Sequence, residues 1–206
     1  MRKKDKREQR NKTFLVFVLV IFLVSSLGSV VVYYGGNSDT GNKFTMEFND
    51  KKYTFEPMAD STGNLFYEVT TEEDIVFQTY LQPQSIYLEM DDQTKNTIKD
   101  SNYFYITFDP EKTNLDYIDF IRFDLRNNMP PTKFFADAVI KQSSVYNLPV
   151  ITCENGTSQS PVIVLNVENT TDIKMNNNCI NIDFSQTSVL PIRDMLVYLM
   201  QGVDIG

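Results

Sequence analysis

The chain has few residues able to do chemistry, and the strongest constraint on that chemistry is an absence. There is no histidine among the 206 residues. That removes Ser-His-Asp and Cys-His nucleophilic catalysis, histidine general bases and His-ligated zinc. Two cysteines occur, Cys153 and Cys179. They lack the C-x-x-C spacing usual for a redox-active pair. In an oxidising compartment such an isolated pair is expected to close as a disulfide, stabilising the fold by about 3 kcal/mol in the chain-entropy model. Carboxylates are the remaining acid-base groups. Asp91, Asp92, Asp109 and Asp183 would form a carboxylate-based site, with or without a divalent cation, only if the fold brought two or three of them into one concavity. No spacing calls for a resident cofactor or a metal-ligand set.

Three shorter motifs carry weaker chemistry. Asp39-Thr40-Gly41 spells the aspartic-protease triplet, but it sits in a polar stretch with no flanking apolar strands and no second copy. Asp109, Glu111 and Thr113 place oxygen ligands at alternate positions, as a calcium loop does, yet the glycine and the distal glutamate of such a loop are missing. Capping of a following helix by Thr113 or Asn114 is the plainer reading. Asn155-Gly156-Thr157 and Asn169-Thr170-Thr171 are N-glycosylation sequons in expected turns.

These groups are positioned by a chain with a marked charge asymmetry. Residues 13–34, TFLVFVLVIFLVSSLGSVVVYY, form an uncharged and mostly apolar run. About 20 such residues at 1.5 Å each cross a bilayer core about 30 Å thick. The preceding tail, residues 1–12, holds seven basic and two acidic residues, or +5, and the rest of the chain holds 12 basic and 25 acidic, or −13. A basic tail stays in the cytoplasm. The expectation is therefore a single-pass protein of the cell membrane, anchored in the lipid bilayer through residues 13–34, with its C-terminal domain outside. A cleaved signal peptide is the competing reading, opposed by the length of the apolar run and the lack of an A-x-A pattern. Residues 35–43 are Gly- and Asn-rich, as in a flexible linker. The acidic balance opposes nucleic-acid binding, which requires a basic face.

The remaining residues, 44–206, suit one domain. FTMEF at 44–48 and KYTFE at 52–56 alternate around Asn49-Asp50, the pattern of a β-hairpin. Strands are expected at 65–69, 75–80, 103–108, 148–153, 161–165, 171–175 and 179–184, and a short helix at 91–99. Leu115, Ile118, Ile121 and Leu125 share a helical face ending near Asn128, before Pro130 and Pro131. Residues 133–140 return as a strand, or alternatively 134–144 continue as helix. A last helix starts at Pro191 and runs to Gly202, its stripe of Ile192, Met195, Leu196, Leu199 and Val203 covering one sheet face.

YFYITFDP at 103–110, LPVITCENGT at 148–157, PVIVLN at 161–166, NNCINI at 177–182 and RDMLVYLMQGV at 193–203, together with the basic tail and anchor, resemble small uncharacterised single-pass membrane proteins of archaea. The resemblance implies paired cysteines and a β/α layout, and it implies no catalytic residue.

The fold class expected is α/β or α+β: a transmembrane helix followed by one mixed-sheet ectodomain with two covering helices. The function expected is a non-enzymatic interaction or envelope-assembly module with a protein partner. Its rival is an extracytoplasmic ligand-binding domain or carboxylate-based enzyme. An exposed apolar or aromatic patch would mark the first, and convergent carboxylates the second.

Overall fold

The computed structural model describes residues 43–48 and 50–205. The expected basic tail, the membrane helix of residues 13–34 and the linker up to residue 42 lie outside the described residues, as does Asn49. Among the described residues no helix is long and apolar enough to cross a membrane. The chain divides between Gly41 and Asn42, and every described residue belongs to the second unit.

The domain is mixed α/β, but two sheets form where one was expected. Strands β1 (Phe44–Phe48), β2 (Lys51–Ala59), β3 (Leu65–Thr71) and β4 (Val76–Thr79) make an antiparallel meander in chain order. The alternation of the first two strands sets Phe44 opposite Phe55 and Met46 opposite Tyr53, so their apolar side chains share one face. Asp50 turns the chain at φ 61, a left-handed conformation that Asp tolerates. Asp60 closes the next turn by accepting the Thr62 and Asn64 N–H groups at 2.8 and 2.9 Å.

The second sheet contains β5 (Tyr103–Phe108), β6 (Phe134–Val139), β7 (Val162–Val167), β8 (Asp172–Asn176) and β9 (Cys179–Phe184), in the order β6-β5-β7-β9-β8. All its pairs are parallel except β8 with β9. The unbroken run Val162, Ile163, Val164 and Leu165 is buried on both faces, as a central parallel strand requires. Helix α2 (Leu115–Asn128) crosses from β5 to its parallel neighbour β6, which is the expected strand-helix-strand unit. The alternative helix over 134–144 does not form. The strand expected at 148–153 is reduced to one bridge, Val139 to Val150, followed by the 3-10 turn Cys153–Asn155. Pro149 has no N–H to extend a ladder, and Asn155 pulls the chain into its turn by accepting the Thr152 N–H.

Three helices form: α1 (Asp92–Asp100), the short helix expected at 91–99, and the two expected to cover the sheet, α2 and α3 (Val189–Met200). The last helix is not one-sided. Every residue from Ile192 to Met200 is buried, including Arg193 and Asp194. Tyr198 packs edge-on to Phe77 of β4, and the Tyr53 hydroxyl of β2 reaches the Gln201 carbonyl at 3.4 Å. Ile163, Leu165, Ile180 and Ile182 of the second sheet join the same core. A helix enclosed on all sides lies between the two sheets, with α1 and α2 packed against it. Each large apolar side chain buried there contributes about 1.5–3 kcal/mol.

Candidate interaction edge

The carboxylates singled out in the sequence go to separate places. Asp91 is the N-cap of α1 and accepts the Thr94 N–H at 2.7 Å, while Asp92 stands exposed in the first turn. Asp109 follows β5, accepts the Glu111 N–H at 2.9 Å and pairs with Lys141 at 3.0 Å. That backbone donor, with Lys141 behind it, holds the Asp109 carboxyl below the usual range. Asp183, on β9, accepts the Asn166 amide at 2.9 Å and lies opposite Asp172. None of the four lines the concavities described below. Among the described residues no group of three or more Cys, Asp and Glu side chains is placed to hold a metal ion. Asn114 precedes α2 at φ 61, but its side chain makes no capping bond.

Cys153 and Cys179 are joined, with Cα atoms 5.1 Å apart, fastening the segment after β6 to the first residue of β9. Gly156 is required beside this staple, because a Cβ there would stand 2.7 Å from the Asn178 carbonyl oxygen. Of the sequons, Asn155 is exposed but uses its side-chain oxygen as the turn acceptor. Asn169 is exposed and lines a crevice of about 370 Å³ with Thr113, Asn114, Glu168, Ser185 and Thr187. The crevice lies beyond the carboxyl ends of β5, β7 and β9, where open α/β sheets commonly hold ligands. Its lining is polar, without a convergent pair of the expected carboxylates.

Unfilled bonding capacity flanked by exposed apolar side chains lies at the edge strand β6. The Phe134 N–H donates to Asn102 and the Ile140 N–H to Phe108, each at 2.9 Å. In a parallel ladder, alternate residues of a strand face the same neighbour. Residues 134, 136 and 138 therefore serve β5, and Phe135, Asp137 and Val139 point their N–H and C=O groups away from it. At Val139 these groups are taken: its N–H donates to Pro149 at 3.0 Å and its carbonyl accepts from Ile151 at 2.9 Å. At Phe135 and Asp137 they meet no partner among the described residues.

The side chains around this edge are unusually apolar. Phe134 is 62% exposed on the outer sheet face, in register with Tyr103 of β5. Phe123, 70% exposed, projects from α2, whose neighbouring arginines reach β6. Val150 lies beside Val139, and Val145 adjoins Tyr146, whose hydroxyl donates to Asp119 of α2 at 2.8 Å. These four are half of the eight large hydrophobic side chains exposed among the described residues, so the exposure is concentrated rather than scattered. A groove of about 250 Å³, lined by Met129, Pro130, Pro131, Phe134 and Phe135 and flanked by Arg126 and Lys133, opens at the start of the strand.

An inward charge often guards an edge against unwanted pairing. Here the inward charge is Asp137, and it is neutralised. Arg122 donates to it at 2.7 Å, Arg126 donates to its other oxygen, and the Arg126 guanidinium rests 4.9 Å from the Phe135 ring centroid. Two of the other three edges are guarded. On β4, the Gln78 N–H donates to Asn128 and its carbonyl accepts from Arg193, each at 2.6 Å. Edge strand β8 presents the exposed pair Lys174 and Asp172. The sequence patterns that drew attention to carboxylates gave no weight to Phe123, Phe134 or Ala136. The available signal was the Phe134-Phe135 doublet after Pro130-Pro131, which in a strand must place one ring on each face.

No family model matches the chain, searches of curated proteins and of solved structures return no match, and nothing in these comparisons bears on the resemblance to archaeal membrane proteins.

Proposed function

We propose that this chain is a single-pass membrane protein with its N-terminus in the cytoplasm, and that its outer domain is an interaction or envelope-assembly module rather than an enzyme. It engages its protein partner by strand addition along β6. The observation that carries this reading is the pair of outward-facing backbone sites at Phe135 and Asp137, set between exposed Phe134 on one side of the sheet and exposed Phe123 on the other. Unpaired N–H and C=O groups on an apolar edge are a template for another strand: main-chain bonds supply affinity and the flanking pockets supply selectivity.

The disulfide favours placement in an oxidising compartment. The dispersed carboxylates give less support to the rival reading of a ligand-binding domain or carboxylate-based enzyme. The test is a photo-crosslinking amino acid placed at Phe134 of the full chain in its native membrane, with Leu65, at least as exposed on β3, as control. One defined protein adduct from position 134, absent from position 65 and lost in the Phe135→Pro variant, is the expected result. Equal labelling from both positions would sink the proposal.

A further inference from the structure

Resting on that reading, we infer that the partner strand at β6 is β6 of a second copy of this chain, paired antiparallel about a twofold axis at Ala136.

The register follows from which groups are free. In an antiparallel pair, residues directly opposite alternate between exchanging two hydrogen bonds and exchanging none. A twofold axis at Ala136 sets Phe135 opposite the partner copy's Asp137, and Asp137 opposite its Phe135. Both are bond-exchanging positions, so four hydrogen bonds use every outward-facing group left unpaired at residues 135 and 137. Ala136 faces its own copy at the non-bonded position, where the Cα atoms approach most closely, at about 4.5 Å. It is one of the two smallest residues of the strand FFADAV. On the same face the exposed Phe134 ring lies over the other copy's small Ala138.

The charges also fit. Arg126 lies over Phe135, and Phe135 stands opposite the second copy's Asp137. Each Arg126 therefore approaches a carboxylate on both copies, and each carboxylate approaches arginines from both. Like charges facing across a strand pair oppose pairing. Here Asp137 faces Phe135 and an arginine, not another carboxylate.

The ends of the open stretch agree as well. Residues 149–151 fill the edge alongside Val139, so an added strand must leave the sheet before it reaches Val139. The residue opposite Asp137 is the second copy's Phe135. Soon beyond it that copy's chain turns away through Pro131 and Pro130, which precede its own strand. An unrelated extended peptide would need a break at that same point.

The experiment is cysteine crosslinking between two differently tagged full-length copies in membranes. The two native cysteines are already joined, so Ala136→Cys supplies the one reactive thiol among the described residues. Mild oxidation is expected to yield a covalent dimer carrying both tags, at least tenfold above the level from a control Val76→Cys on β4. Adding Phe135→Pro, which removes an N–H the fold does not use, should abolish the dimer. Should that variant fail to fold, Phe134→Asp at an already exposed position serves instead and should reduce the dimer by a similar factor. No dimer from Ala136→Cys above the control overturns the inference. If the photo-crosslinker at position 134 then still captures a different protein in a Phe135→Pro-sensitive way, the interaction reading stands with another partner. If it captures nothing, both fail.

Discussion

At the scale of single residues, the largest energetic commitment is one that hydropathy alone hides. Arg193 is fully buried in α3, where it donates to Asp194 at 2.5 Å, to Gln78 at 2.6 Å and to Asp124, and its guanidinium lies 5.2 Å from the Tyr80 ring centroid. Asp194 in turn accepts the N–H groups of Tyr80 and Leu81 at 2.8 and 2.6 Å. One side chain pair thus ties α2, α3 and the end of β4 together. Arg193→Met is expected to destabilise the domain by about 3–5 kcal/mol, because it strands a buried carboxylate, and urea unfolding checks this. A loss below 1 kcal/mol would mean that the network is not buried as described. Burial pushes the Asp194 carboxyl up to about 6 despite Arg193 and the two backbone donors. A raised carboxyl favours the folded state only while protonated, so its contribution is full below about pH 4 and lost as pH rises through about 6. The stability of the wild type relative to Asp194→Asn should therefore fall between pH 4 and 7. A difference independent of pH would contradict the assignment. Asp60 and Asp109, whose carboxyls are lowered by hydrogen-bond donors, act in the opposite direction and lose their contribution as pH falls.

At the scale of elements, legibility followed how local each signal is. The expected bounds of α2 and β9 match the structure closely, because Leu115, Ile118, Ile121 and Leu125 define a helical face by themselves and CINIDF is a β-prone run bounded by turns. Helix α3 was legible as a helix but not as a central one. Its stripe accounts for one covered face, and burial of Arg193 and Asp194 depends on partners about 70 and 115 residues away in sequence, which no local period encodes. Residues 148–153 depart from the expected strand for a similar reason: Pro149 and the Cys153 staple bend a β-prone run into a loop. Lys133 shows another interaction between distant elements. Its ammonium donates to the carbonyls of Ile98, Lys99 and Ser101, closing the C-terminal end of α1, and burial lowers its pKa. Lys133→Met should cost about 1–3 kcal/mol, with amide exchange accelerated mainly at the last turn of α1. Exchange unchanged there would exclude the capping role. Reducing the Cys153–Cys179 bond should lower stability by about 3 kcal/mol, read as a fall in Tm under reductant, and an unchanged Tm would show the loop to be held by packing alone.

At the scale of the whole molecule, two sheets sharing one buried helix leave the β6 side carrying exposed aromatic surface and free backbone groups. The carboxylates of the rival reading were legible as residues but not as an arrangement, since Asp91, Asp92, Asp109 and Asp183 belong to three separate parts of the fold. The interaction edge was the reverse case: its residues are ordinary, and only the ladder shows which groups are left over. A ladder also dictates how that claim is best tested, because an unpaired amide exchanges fast and a paired one slowly. The decisive measurement is amide hydrogen exchange at Phe135 and Asp137 in the full chain, compared between native membranes and dilute detergent solution. Strand addition predicts fast exchange at both residues in dilute detergent and marked protection in the membrane, with Ile106 of β5 protected in both. Fast exchange at residues 135 and 137 in both settings would contradict the account.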